Sequence, residues 1–164
     1  MDLSKAFDLV NHKKLLNILS TLGFRGHFLK LLESFLSHRT FRIKINDSFS
    51  DYAPSLQGVP QGSILSPILY CLYVHNFSII HPDIIQYADD TTLIISYTND
   101  EHLRNQLNSI SEKITSYISE HNLAINTNKT DIMLFDKQNT LELNFMGSKI
   151  KTVQSTKFWV SNYI

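Results

Sequence analysis

The chain predicts an α+β fold in which a largely antiparallel sheet packs on helices. Three observations carry that expectation. Helix-period apolar stripes and period-two strands alternate irregularly along the 164 residues, without the regular strand–helix order of a parallel sheet. Short strand candidates fold back on themselves, at Asn46-Asp47 and again around Tyr87-Ala88-Asp89-Asp90. Apolar residues make up 43% and charged ones 18%, which suits one globular domain over residues 1–164 and excludes a disordered chain.

The elements follow in order. Residues 12–22 read as a helix: Asn11 is a candidate cap, Leu15, Ile18, Leu19 and Leu22 share one face, and Gly23 stops it. Phe28, Leu31, Leu32, Phe35 and Leu36 form the stripe of a second amphipathic helix. From Thr40 to Ile45 the period changes to two, with Phe41, Ile43 and Ile45 on one side and Arg42 and Lys44 on the other. The partner strand is expected near Phe49–Tyr52. The Gly- and Pro-rich stretch Gln57–Ser63 is a loop leading into a helix from about Ser66, with Pro67 in its first turn and Leu69, Leu72 and Tyr73 buried. Thr98-x-x-Glu101 reads as a capping box opening a long helix, whose stripe is Leu103, Leu107, Ile110, Ile114, Tyr117 and Ile118. Strands are expected near Leu123–Ile125, Asp131–Phe135, Leu141–Phe145 and Lys149–Val153.

Composition excludes several function classes. The single cysteine, Cys71, rules out an intramolecular disulfide framework or a multi-cysteine zinc site, and its apolar setting places it in the core. The seven histidines have no ligand spacing. The apolar stretch Ile64–Val74 is too short to span a membrane and is broken by Ser66 and Pro67. No secretory signal opens the chain, so an intracellular protein of nucleus or cytoplasm is expected, neither secreted nor membrane-bound. Formal net charge is zero, which argues against an autonomous nucleic-acid binder. Residues 1–82 hold eight Lys/Arg against five acids, and residues 83–164 hold seven against ten. The acidic excess thus lies with Asp89 and Asp90. Two like charges at a hairpin tip repel unless a cation faces them, and hard divalent ions such as Mg²⁺ take oxygen ligands. Alone, adjacent aspartates at a turn are ordinary turn formers. Arg39, Arg42 and Lys44 read as a solvated strand face.

Three motifs occur in order: Asp2-Leu3-Ser4-Lys5-Ala6-Phe7-Asp8, Gly58-Val59-Pro60-Gln61-Gly62-Ser63-x-x-Ser66-Pro67, and Tyr87-Ala88-Asp89-Asp90. Asp8-x-Val10-x-His12-x-x-Leu15-Leu16 and Asn126-x-x-Lys129-Thr130 accompany them. In this combination the chain resembles the reverse transcriptase palm of non-LTR, LINE- and jockey-like retrotransposons. The wording of the first two motifs favours that type over group II intron or retron enzymes. A nucleotide cyclase could share a paired acidic hairpin, but would not need Phe7 or Pro60-Gln61-Gly62. The resemblance implies a polymerase palm and RNA-directed DNA synthesis by two-metal phosphoryl transfer. It implies Asp2, Asp89 and Asp90 as catalytic acids, which with the Leu3 carbonyl hold two Mg²⁺ ions, Mn²⁺ being a possible substitute. Ala6, Phe7, Gln61, Gly62 and Lys129 are implied at the nucleotide: Phe7 as a gate against the 2′-hydroxyl, Lys129 as general acid to pyrophosphate. Phe7 as plain core packing and Gly62 as a plain turn residue are the simpler readings. Asp8 reads as a helix-capping acid.

The implied partners are an RNA template, a DNA primer and deoxynucleoside triphosphates. Three departures accompany the resemblance. The chain opens inside the first motif, so fingers and thumb are expected to be largely missing and to be required from elsewhere. His75-Asn76 stands where the family usually has Asn-Asp. Lys157-Phe158-Trp159-Val160 stands where a Phe-Leu-Gly-Val primer grip is usual. An inactive relic of such an element is the alternative reading.

Overall fold

The computed structural model describes residues 1–135 and 142–155. Two helices come first. Helix α1 (His12–Thr21) is capped by Asn11, whose side chain accepts from the Lys14 N–H at 3.0 Å. Asn11 is thus the cap the sequence predicts, while Asp8, read as a capping acid, caps none of the described helices and accepts from the Gln61 amide instead. The helix ends in a Schellman cap: Gly23 sits at φ +99°, its N–H donates to the Ser20 carbonyl, and the Phe24 N–H donates to the Leu19 carbonyl at 3.0 Å. Helix α2 (Gly26–Leu36) buries Leu32 and Leu36, but Phe28 and Leu31 lie exposed on the outer part of the expected stripe.

The next segment forms a hairpin in two pieces. Strand β1 (Thr40–Phe41) pairs with β4 (Ala53–Pro54), and β2 (Lys44–Ile45) pairs with β3 (Ser48–Phe49). The single strand expected over Thr40–Ile45 is interrupted at Arg42-Ile43, where the Ser50 hydroxyl accepts the Ile43 N–H at 2.9 Å. A side chain there takes the place of a ladder bond.

Helix α3 (Leu65–Tyr73) follows the loop, with Pro67 in its first turn. Its sequence is apolar all round, so periodicity could not tell which side faces inward. Ser66, Leu69, Tyr70 and Tyr73 take the core side, leaving Leu72 half-buried and Cys71 exposed, contrary to its expected core position. A 3₁₀ helix, Phe77–Ile80, leads to the hairpin of β5 (Ile84–Tyr87) and β6 (Asp90–Leu93).

Helix α4 (Asp100–Glu120) buries Leu103, Leu107, Ile110, Ser111, Ile114 and Ile118, close to the expected stripe. Its cap is Asn99, which accepts from the His102 N–H at 2.8 Å, and not Thr98 as the capping-box pattern suggested. The last sheet has the order β7 (Ile132–Met133), β9 (Ser148–Val153), β8 (Glu142–Phe145). Strands β8 and β9 form the expected antiparallel hairpin, whereas β7 lies parallel to β9. That parallel pair departs from the largely antiparallel expectation. The expected strand at Leu123–Ile125 is reduced to a bridge at Ile125.

One apolar core runs through these pieces. Leu15 and Leu19 of α1, Tyr70 and Tyr73 of α3, Phe77, Ile114 of α4 and Leu143 of β8 are essentially fully buried within it. Lys14 fastens α1 to the end of α4, donating to the Glu120 carboxylate at 2.7 Å and to its carbonyl at 2.9 Å. The observed class is α+β, with small, chiefly antiparallel sheets among four α-helices in the described residues. Among the described residues, no helix is long and apolar enough to cross a membrane.

Candidate active site

The N-terminal residues lie against the acidic hairpin. The Met1 nitrogen donates to the Thr91 carbonyl at 2.7 Å, and the Thr91 N–H donates back to the Met1 carbonyl at 3.0 Å. The next residues, Asp2 and Asp90, form an antiparallel bridge. They are therefore a directly opposed pair without mutual backbone hydrogen bonds, the arrangement that brings two side chains closest on one face. On its other side this segment meets the stretch after α4: Leu3 bridges Ile125, the Ser4 N–H donates to the Ala124 carbonyl, and the Asn126 N–H donates to the Asp2 carbonyl. Leu3 and Thr91 point into the core, which by strand alternation sends Asp2 and Asp90 the other way.

Asp89 occupies the turn itself, beside Ala88, and Asp90 is the first residue of β6. Ala88 has φ +53° and is the one of the two central residues with a positive angle, the pattern of a type II′ turn. Such a conformation at a residue with a Cβ costs about 1–2 kcal/mol. Asp89 is half-buried and Asp90 exposed. Lys129 reaches the same place from a 3₁₀ helix, Thr127–Lys129, its ammonium 3.6 Å from an Asp2 carboxylate oxygen. Asp2, Asp90 and Lys129 line one open groove of about 1450 Å³. Among the described residues, no three His, Cys, Asp or Glu side chains close into a group that could hold a metal ion. The fold brings the acids to neighbouring positions without drawing them into a finished cluster.

The other expected site residues form a second assembly, built on the turn after Leu3. Ala6 is buried in the core, so its methyl group faces away from solvent. The Phe7 ring is half-buried and stacks on Tyr70, centroids 4.6 Å apart at 30°. The Gly/Pro-rich loop is tied to the same turn: the Val59 N–H donates to the Phe7 carbonyl and the Gly58 N–H to the Val10 carbonyl, both at 2.8 Å. His12 completes the tie by donating from Nε2 to the Gly58 carbonyl at 2.7 Å. Gly58 is required here, because its φ is +84° and a Cβ would lie 2.9 Å from the Asp8 carbonyl oxygen. The Gln61 amide donates to the Asp8 carboxylate at 2.9 Å, and the Ser66 hydroxyl to the Pro60 carbonyl at 2.5 Å. Gly62, at φ +82°, has open space around it.

Sequence reasoning missed three residues of this assembly. Asp8 holds Gln61, His12 holds the loop, and Tyr70 supports Phe7. The signal for His12 was its place in the Asp8-x-Val10-x-His12 pattern; nothing local marked Tyr70 beyond its helix. The Tyr70 hydroxyl is buried without a hydrogen-bond partner among the described residues. Burial, and secondarily the charge of Asp89, push it well above the usual tyrosine range, so it stays protonated. His75 donates from Nδ1 to the Leu72 carbonyl at 2.7 Å, a local helix-end contact. The departures at 157–160 lie outside the described residues.

An acid hairpin beside an acid-bearing strand, with a glycine loop packed on the following turn, defines a class that comparison makes explicit. The family model for reverse transcriptase (RNA-dependent DNA polymerase) matches residues 1–150, and the chain belongs to that family. It is 30% identical over 144 residues to the probable RNA-directed DNA polymerase from transposon X-element of Drosophila melanogaster, covering 82% of this chain and 15% of that protein. It is 32% identical to the RNA-directed DNA polymerase from mobile element jockey of the same organism, over 67% of this chain and 12% of that protein. A shorter match, 32% over 74 residues, joins it to a putative COX1/OXI3 intron 2 protein of Saccharomyces cerevisiae, covering 45% of this chain and 8% of that protein. The expected family, reverse transcriptases of the non-LTR retrotransposon type, stands with these relatives, and the chain spans a small part of their length.

Proposed function

We propose that this chain is the catalytic palm of an RNA-directed DNA polymerase, adding deoxynucleotides to a DNA primer 3′-hydroxyl along an RNA template. One observation carries the reading: Asp2 and Asp90 oppose each other across antiparallel strands, with Asp89 one residue away. Directly opposed like charges are destabilising in a sheet unless something positive faces them. Lys129 supplies one such charge at 3.6 Å, and the donor set suits another.

That donor set fits Mg²⁺, a hard ion usually bound through one or two carboxylates, water and substrate phosphates and not by a closed protein cage. Asp2, Asp89 and Asp90, with the Leu3 carbonyl, would hold it, and Mn²⁺ suits the same oxygens. A pair of such ions, when bound, activates the attacking hydroxyl and stabilises the leaving oxygen. The remaining tasks fall to this chain's own groups. The Phe7 ring, backed by Tyr70, fills the space a 2′-hydroxyl would need. Ala6, buried in the core, would present only its backbone to the nucleotide. Asp8 holds Gln61 ready for the nucleotide, and Gly62 leaves room for close approach. Lys129, whose side chain is 69% exposed, can swing from Asp2 to donate a proton to pyrophosphate.

Primer extension on an RNA template with Mg²⁺ tests this directly. The expected outcome is incorporation that falls at least about 100-fold in Asp89→Ala, the scale of losing one transition-state charge contact. Equal signals from both chains would overturn the reading. A folded but inactive member of the family is the second reading, favoured by the Lys129 ammonium, which already faces the Asp2 carboxylate at 3.6 Å and partly neutralises it. A Mg²⁺ titration followed by amide NMR separates the two. Saturable shifts at Asp2, Asp89 and Asp90 support the polymerase; a flat response supports the inactive form.

A further inference from the structure

The hairpin of residues 40–54 leads straight into the loop that carries Gln61, yet takes no part in the assembly around Asp2. Its two faces differ. Lys44 lies directly opposite Phe49, so the two share a face. The Arg42 guanidinium joins them, 3.9 Å from the centre of the Phe49 ring and 5.1 Å from that of Tyr52. Lys44 lies 5.4 Å from the Phe49 ring. Both rings remain open, Phe49 being 50% and Tyr52 66% exposed. Two cations interleaved with two accessible rings make a surface on which bases can stack while phosphates are neutralised.

Charge supports the same occupant. The chain has no net charge, yet from Arg25 to Lys44 it carries five Lys/Arg (Arg25, Lys30, Arg39, Arg42, Lys44) and one acid, Glu33. Apart from Arg39, which is half-buried, these cations are exposed. The hairpin's own acids are Asp47, in the turn, and Asp51. A basic segment within a neutral chain is complementary to a polyanion, and proteins that bind single strands combine cations with stacking rings.

We infer that the Arg42–Lys44–Phe49–Tyr52 face of this hairpin holds unpaired RNA, the template strand outside the site. The inference rests on the polymerase reading for the identity of the strand. It does not depend on catalysis, so the two can fail separately: primer extension tests one, RNA affinity the other.

The test is fluorescence anisotropy of the whole chain with a labelled 20-nucleotide single-stranded RNA, at several salt concentrations. Phe49→Ala is expected to weaken binding at least about fivefold, the low end of one lost base stack, while Phe49→Trp retains it. The double variant Arg42→Ala/Lys44→Ala is expected to lower the slope of log affinity against log salt by about 1.4, for two lost phosphate contacts. Ile45→Thr, outside the basic face, is expected to change neither quantity. A fully paired RNA duplex hides its base faces, so its binding should be insensitive to Phe49→Ala. Circular dichroism confirms that each variant is folded. Absence of RNA binding by the unaltered chain, or variants that match it in affinity and salt slope, would overturn the inference. So would sedimentation showing that these substitutions abolish self-association and leave RNA affinity intact, because the face would then belong to a second copy.

Discussion

The hairpin of Ile84–Leu93 has a neighbour along its outer edge, whereas every residue of the paired strands from Thr40 to Phe49 lies open to solvent. Both are short antiparallel pairs that turn within two residues, and the second also alternates apolar and polar residues from Thr40 to Ile45. In the first, Met1–Leu3 and then Ile125 extend the sheet, and Ile84 and Thr91 are buried beneath it. In the second, Phe41, Ile43 and Ile45 are all more than half exposed. A period-two pattern therefore states that a strand can bury one face. It does not state that any other part of the chain will cover it. The acids stand on the supported hairpin, where a rigid foundation holds charged groups in fixed positions. The open hairpin keeps its side chains available for a partner.

Truncations on the two hairpins give the strongest test of this contrast. Ile84→Ala removes a side chain only 7% exposed and is expected to cost about 3 kcal/mol, whereas Ile45→Ala, at 69% exposure, should cost less than about 0.5 kcal/mol. Urea denaturation of both variants measures the difference; equal costs would show that the open hairpin is covered in solution. The loop joining the open hairpin to the site gives a smaller contrast. Gly58→Ala meets the Asp8 carbonyl at 2.9 Å on top of an unfavourable φ, and is expected to cost about 2–3 kcal/mol. Gly62→Ala meets only the φ penalty, about 1 kcal/mol. If the two cost the same, the loop is not clamped to the Asp8 turn.

The smallest effect concerns the footing of the acid-bearing strands. His121, just before the stretch that pairs with Leu3, is buried and stacked 3.9 Å from Tyr117. It donates from Nδ1 to the Tyr117 carbonyl at 2.9 Å, while the Tyr73 hydroxyl donates to the His121 carbonyl at 2.6 Å. Burial is the chief influence on it and lowers its pKa below 6.5. The unfolded chain therefore binds a proton more readily than the folded one. Stability is highest above pH 6.5 and falls as pH drops through the lowered folded value. Denaturation at pH 7.5 and pH 5.5 should show that loss, and His121→Gln should flatten it.

Much of the candidate site was legible because its residues sit in short contiguous motifs. Tyr87-Ala88-Asp89-Asp90 announced a hairpin with acids at its turn, and the structure places Asp89 in that turn and Asp90 beside it. Asn11 and Gly23 were readable as the ends of α1 because capping is local hydrogen bonding. Where a choice depended on a distant surface, the pattern was ambiguous. Helix α3 is apolar on every side, so only packing against α1 and the Tyr70–Phe7 contact decided that Cys71 faces out. Helix α4 starts one residue later than the Thr98 pattern implied, so the capping position falls to Asn99, which accepts from the His102 N–H. The parallel pairing of β7 with β9 left no local trace.

The family, the order of its motifs, the positions of helices α1, α2 and α4, and the acidic turn can all be read from the linear order of residues. These depend on residue identity and on contacts within a few positions. Long-range packing was needed to set Asp2 opposite Asp90, to let Asp8 and His12 hold the Gly58–Gly62 loop, and to support one hairpin while leaving the other open. Those outcomes rest on backbone bonds and packing between residues tens of positions apart, and no local pattern encodes which distant partner a strand will meet.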